Sequence, residues 1–344
     1  MPSPYMLLVA FILCSTALSA QDLAGAAPRD RTALLEEFTA AGCGNCPVAH
    51  ATADALVTVH GARLVVVGVH GGALAAPNSG QPDFRTTDGA ALWQSFDIQF
   101  QPQGTVNRQL PQTAEQWAGQ VQEVLDDPSP VNLGVASVFD VNTRQLTVQV
   151  ELYYTGSSAT PMDRISVMLT QGSVVAFQQD YANGPHSAYH HRHVLRDHVT
   201  PLEGDMVDVT SPGTLVQRTY STAVPEAWDA VDLRVVAFVR AQDGEVYQAY
   251  DIPAVGGISS GMDQGHAPLL GSAFPVPAHE VLFIPVTAAG AGRSVRLCDA
   301  QGRLVLEQRA PPNGGTLALD VSSLAPGVYA FGCAGAQMQS VIVR

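Results

Sequence analysis

The sequence predicts a multidomain α/β plus all-β protein, in which an α/β layer is followed by antiparallel β modules. Three observations carry this. The chain has 344 residues, more than one ordinary core accommodates. Up to about residue 126, apolar runs of strand length alternate with stretches of helical periodicity. Beyond that point apolar and polar residues alternate with a period of two, and turn residues interrupt them. An apolar fraction of 46% with 14% charged residues and 31 Gly suits a turn-rich globular chain and excludes wholesale disorder.

The elements follow in order. Residues 1–20 read as a secretory signal, an apolar run followed by Ala-Leu-Ser-Ala, although no basic residue precedes the run. Cys14 is a poor lipidation candidate, since Ile-Leu stands before it where small residues are wanted. Residues 21–128 form the α/β domain. "TALLEEF" is a strand, 47–60 carry Val48, Ala51, Ala55, Leu56 and Val59 at helical spacing, and "ARLVVVGVH" is a strand buried on both faces. Helices are expected around 86–96 and 113–126, on either side of "QFQPQGTVNR". Residues 129–255 read as an antiparallel sandwich, 256–272 as linker, and 273–344 as a small third β domain.

Composition narrows the function. A net charge of −14 argues against a nucleic-acid partner, and all 17 cationic residues are Arg, which excludes Schiff-base lysine chemistry. No stretch after the signal approaches the ~20 apolar residues of a membrane-spanning helix. No cofactor is expected.

The chemistry-bearing motif is "GCGNCP", with Cys43 and Cys46 two residues apart between a buried strand and a proline-started helix. Orphan amides and the positive dipole end at a helix start stabilise a thiolate, so Cys43 is the expected solvent-facing nucleophile and Cys46 the shielded resolving thiol. A structural staple and half a zinc site remain alternatives. Zinc needs two further ligands, and only His50, His60 and His70 are near in sequence, so no metal site is assigned. "HSAYHHRHVLRDH" gathers His186, His190, His191, His193 and His198; on one strand, His191 and His193 would share a face, which is two ligands and not a site. The plain reading is a polar sheet face with satisfied imidazoles.

"LLEEFTAAGCGNCP" resembles the thioredoxin-fold signature, and "QPQGTVNR" resembles its cis-proline loop. The resemblance implies that Glu37, six residues before Cys43, is the buried proton acceptor for Cys46, and that Pro102 holds the loop against which a substrate strand docks. Gly42 departs from the tryptophan usual before the first cysteine. With "FRTTDGAALWQSFDIQF" and "YHHRHVLRDHVTPLEGD", residues 30–255 resemble the outer-membrane-protein-twenty-eight-related family, which pairs a thioredoxin-like domain with a β domain. Residues 273–344 resemble the C-terminal sorting domain read by the type IX secretion machinery, through Asp299, Gly302 and Arg303 at a hairpin, Leu324, Gly327, Val328 and Tyr329 near the end, and the terminal Arg344; Pro275-Val276-Pro277 departs from it, since Asn is common between the prolines. That resemblance implies passage through the periplasm, then secretion or attachment at the cell surface and outer membrane. Cys298 and Cys333 would leave with the sorting domain, and Cys43 and Cys46 would remain as partners. Three functions follow: thiol–disulfide exchange with exported protein thiols; a non-enzymatic surface binding or scaffold role with a structural disulfide; and, behind these two, metal acquisition through the histidine cluster.

Overall fold

The computed structural model describes residues 23–242, 244–259, 269–271, 273–287, 290–299, 303–333 and 339–344. Residues 1–22, which hold the stretch read as a signal and Cys14, most of 256–272, read as linker, and Gly302 lie outside the described residues. With 45% strand against 14% helix the molecule is mostly β, and its helices are confined to the N-terminal third.

That third runs β1 (Arg29–Asp30), β2 (Ala33–Thr39), α1 (Cys46–His60), β3 (Leu64–His70), α2 (Thr87–Ser95), β4 (Gln103–Val106), α3 (Ala114–Leu125) and β5 (Pro128–Ser129). α1 starts where Pro47 occupies its first turn, a position whose amide has no helical partner anyway, and it stops at Gly61, with φ 55°. The Thr86 hydroxyl caps α2 by accepting from the Gly89 amide at 2.8 Å.

The strands that follow are β6 (Val131–Asp140), β7 (Gln145–Tyr154), β8 (Asp163–Gln171), β9 (Val174–Gln178), β10 (His186–His191), β11 (Val194–His198), β12 (Asp205–Val207), β13 (Leu215–Ala223), β14 (Leu233–Ala241), β15 (Val246–Pro253) and β16 (Ile258–Ser259). Eight strands make one sheet, ordered β15-β14-β8-β11-β3-β2-β4, with β12 also on β8. The parts read from sequence as α/β layer and sandwich therefore share a sheet. β11 is the joint, parallel to β3 on one side and antiparallel to β8 on the other.

Alternation along the shared strands sorts the cores. Ala33 and Leu35 of β2 pack with Ala49, Ala53 and Trp117 beneath α1 and α3, whereas Leu34 and Phe38 pack with Leu92 and Phe238 on the α2 face. On β14, Val235, Ala237 and Val239 face the second, four-stranded sheet (β13-β7-β6-β16), closing an antiparallel sandwich over Leu133, Val148 and Leu152. β9 and β10 belong to neither sheet and form a two-stranded hairpin of their own.

The C-terminal strands are β17 (Val281–Val286), β18 (Ser294–Cys298), β19 (Leu304–Arg309), β20 (Gly315–Asp320), β21 (Gly327–Cys333) and β22 (Gln339–Val343). β17 pairs with β20, and the others form a sheet ordered β19-β18-β21-β22 around Leu282, Ile284, Leu297, Leu319 and Phe331. Asp299 accepts from the Arg303 amide at 2.9 Å and from its guanidinium at 2.7 Å, Tyr329 donates to Ala325 O at 2.7 Å, and the Arg344 amide donates to Ala278 O at 2.8 Å.

Candidate functional site

Cys43 and Cys46 are joined in a disulfide at the start of α1. The expectation of a solvent-facing Cys43 is not met: Cys43 is 2% exposed and Cys46 0%. The reason is residues 178–181, which leave β9 and cross the cysteine loop. The Gln179 amide donates to Ala41 O at 2.8 Å and the Tyr181 amide to Gly44 O at 2.9 Å. The buried Gln178 side chain donates to Cys43 O at 2.9 Å and to Ala40 O at 3.3 Å. On another side the Gly42 amide bonds Leu74 O at 3.0 Å, and Ala75 packs against the sulfurs.

Glu37 lies on the β2 face that meets α1, below the helix start, and is 3% exposed. Its Oε1 has no hydrogen-bond partner and stands 3.6 Å from His50 Nε2. His50 is one turn past Cys46 on α1; its Nε2 is 2.8 Å from Thr39 Oγ1 and its Nδ1 2.8 Å from the Tyr189 hydroxyl. Burial, reinforced by the Asp54 charge, pushes the Glu37 carboxyl up to about 8, and burial pulls His50 down to about 3. Near neutral pH the proton therefore sits on Glu37 and the pair is uncharged.

Tyr189 belongs to a larger buried assembly. β10 brings Tyr189 and His191 against His70 of β3 and Phe84, with His70 and His191 ring centroids 5.5 Å apart. His191 Nε2 bonds Phe177 O at 3.1 Å, while both ring nitrogens of His70 lack partners. Burial lowers His191 to about 4 and holds His70 well below the ordinary imidazole range. A cavity of about 30 Å³ lies among Glu37, His50, His70, Tyr189 and His191.

The histidine run is thus not the polar sheet face read from sequence. β10 ends at His191 and β11 begins at Val194; His193, at φ 54°, turns the chain between them. Its carbonyl accepts from the Gly68 amide at 2.8 Å, and Gly68 admits the approach because a Cβ there would sit 3.3 Å from Arg192 O. His60 lies at the far end of α1, roughly 20 Å from Cys46 at 1.5 Å per residue. Among the described residues no group of three or more His, Cys, Asp or Glu is arranged to hold a metal ion.

Pro102, in a cis peptide with Gln101, immediately precedes β4, whose register sets Gln103 opposite Phe38 at the end of β2 that leads to the cysteines. The structure gathers Glu37, His50, His70, Tyr189 and His191 in one cavity, and His50 ties it to the helix whose first residue is Cys46. Sequence reasoning missed Gln178, Tyr181 and Tyr189, and treated His50 and His70 only as zinc candidates. The one available signal was the four-residue spacing of Cys46 and His50, which puts them on the same helix face.

The fold and the sequence can be set beside known proteins. HBP35 of Porphyromonas gingivalis superposes with a TM-score of 0.54 over 92% of this chain and 98% of its own, at 18% identity, a likeness of fold. A domain of the outer membrane lipoprotein Omp28 from the same organism aligns at 22% identity over 36% of this chain and 86% of its own, with a TM-score of 0.25. No curated protein matches the sequence. Among described residues no helix is long and apolar enough to cross a membrane. Residues 272–343 match the secretion system C-terminal sorting domain, which implies handling by the type IX secretion system. With residues 90–252 matching the family described as outer membrane protein Omp28, beside that sorting domain, the chain is a secreted or cell-surface outer-membrane protein.

Proposed function

We propose that this surface protein exchanges thiols and disulfides with exported proteins through Cys43 and Cys46, carried on a thioredoxin-like domain of residues 21–128. Residues 129–255 are then its β-sandwich partner, 256–272 a linker and 273–344 the sorting domain. Cys43 is the attacking sulfur, Cys46 the resolving one, Glu37 the proton carrier for Cys46, and Pro102 the holder of the docking loop. The observation that carries this reading is Glu37 itself, a buried carboxyl with an unpartnered oxygen. Such burial costs stability, and a purely structural disulfide has no use for it. A carboxyl at about 8 is matched instead to a thiol, whose ordinary pKa is about 8.5.

A second reading, a non-enzymatic surface binding or scaffold protein, is favoured by the burial of both sulfurs. The reduction potential separates the two. A value between about −120 and −270 mV is expected for exchange, and one below about −300 mV assigns a staple. With the pair reduced, alkylation against pH should find Cys43 in Cys46→Ala reacting faster near neutrality than Cys46 in Cys43→Ala; the reverse order removes Cys43 as nucleophile.

Export gives an independent check. Deleting residues 274–344 should strand the protein in the periplasm, as read by fractionation and surface labelling. Normal surface delivery of the truncated chain would remove the sorting role.

A further inference from the structure

The hairpin β9–β10 meets the disulfide as a bound strand would. Two amides on one side of the chain, those of Gln179 and Tyr181, donate to the carbonyls of Ala41 and Gly44 at 2.8 and 2.9 Å. The intervening residue, Asp180, turns back to its own loop and accepts from the amides of Ala182 and Asn183. The Tyr181 ring lies directly on Gly44, where any Cβ would overlap it, yet Tyr181 is 72% exposed and its outer side faces solvent. Among the described residues no ladder bonds tie the hairpin to either large sheet. Beside the covered loop an open groove of about 220 Å³ continues between Gly42, Leu74, Pro77, Phe84 and Phe177.

We propose that the hairpin occupies, within the chain, the site at which an extended cysteine-bearing polypeptide segment binds from outside. The Ala41 and Gly44 carbonyls are its strand acceptors, and the groove by Leu74 and Phe177 receives an apolar side chain next to the incoming cysteine. The proposal rests on the exchange reading. The partner is a dithiol. Its first thiolate attacks Cys43 Sγ, the Cys43–Cys46 bond breaks, and Cys46 leaves as a thiolate that takes a proton from Glu37. The partner's second thiolate then breaks the mixed disulfide, so the partner is oxidised to a disulfide and Cys43 is released as a thiolate. None of this reaches a disulfide that is 2% and 0% exposed until residues 178–181 swing aside.

The test uses the full oxidised chain and its Gly44→Ala and Tyr181→Ala variants. The first pushes the ring off the loop; the second removes it. Reduction by dithiothreitol is followed by quench alkylation and mass spectrometry, and global stability by urea denaturation. Both variants should reduce at least tenfold faster than the parent with unchanged denaturation midpoints. A labelled peptide copying residues 176–182, with Cys in place of Gln178, whose side chain reaches Cys43 O, should form a mixed disulfide with Tyr181→Ala faster than a scrambled peptide does. Reduction rates equal to the parent's, or equal capture of the two peptides, overturn the proposal. Faster reduction of a pair whose potential falls in the staple range would leave the hairpin a cover and remove the exchange function. Unchanged rates with a potential in the exchange range would do the opposite.

Discussion

Replacing Arg108 with alanine should destabilise the protein by about 3–5 kcal/mol, the usual cost of removing one partner of a buried ion pair. Glu36 is 0% exposed, and the Arg108 guanidinium grips both of its oxygens, at 3.0 and 2.9 Å. The same guanidinium lies 4.7 Å over the Phe238 ring of β14, joining the helical part of the shared sheet to its β part. Asn107 and Arg108 reach this position through left-handed backbone, φ 49° and 60°. Asn107 completes the bridge: it accepts from the Leu34 amide and donates to Val246 O, each at 2.7 Å. Arg108→Ala strands the Glu36 charge among apolar groups, so the double variant Arg108→Met with Glu36→Leu should recover much of the loss. Urea denaturation measures both. A loss below 1 kcal/mol for the single variant would mean that water or another cation reaches Glu36.

Stability should peak near pH 6.5 and fall on both sides, and Glu37→Gln should remove the alkaline fall. Glu37 holds its proton up to about 8 when folded against 4.5 as its ordinary value. Its contribution is full below 4.5 and declines by about 1.4 kcal/mol per pH unit until about 8. His50, His191 and His198 run the other way: folded values of about 3, 4 and 4 against 6.5 mean that their contribution is full above 6.5 and lost as pH falls toward 4. His70 adds to the acid fall. The other groups facing the cavity do not reverse these signs. Tyr189 is pushed up to about 12, and Asp54, paired with Arg192 at 3.3 Å, raises Glu37 further. Between pH 6 and 8.5, Glu37→Gln should therefore gain about 3 kcal/mol relative to the parent, whatever fixed cost the amide carries. Parallel stability curves for parent and variant would show that Glu37 is already ionised in the folded protein.

The helices and the strands β2 and β3 between 32 and 126 were legible because each is a continuous run with its own period: "ARLVVVGVH" is strand wherever it packs, and α3 carries Trp117, Val121 and Val124 at helical spacing, whereas β4 lay unread inside "QFQPQGTVNR". The place of β11 was not. "VLRDH" is short and polar, and its seat between β3 and β8 rests on pairing Val194 with Gly68 and Gln171, contacts that no local pattern encodes. In "LLEEF" two adjacent glutamates look alike, but strand alternation sends Glu36 toward Arg108 and Glu37 toward His50. The sequence alone could not say which of them is paired. The cover over the cysteines was hidden for a related reason: "FQQDY" carries no motif, and it meets Ala41 and Gly44 through backbone amides that every residue possesses.

The position of that cover along the chain sets a timetable. Cys46 precedes the first residue of β9, Val174, by about 130 residues, a gap of roughly 6 to 26 s at ordinary rates of synthesis. Until the later residues arrive, β3 has a bare edge on the side that β11 will occupy, and residues 178–181 do not yet lie over the two thiols. An incomplete chain thus leaves its cysteine loop uncovered by the hairpin, and the finished protein covers it. The hairpin is thus the last piece laid over the bond, and in the finished molecule that bond can change only as often as residues 178–181 lift away from Ala41 and Gly44.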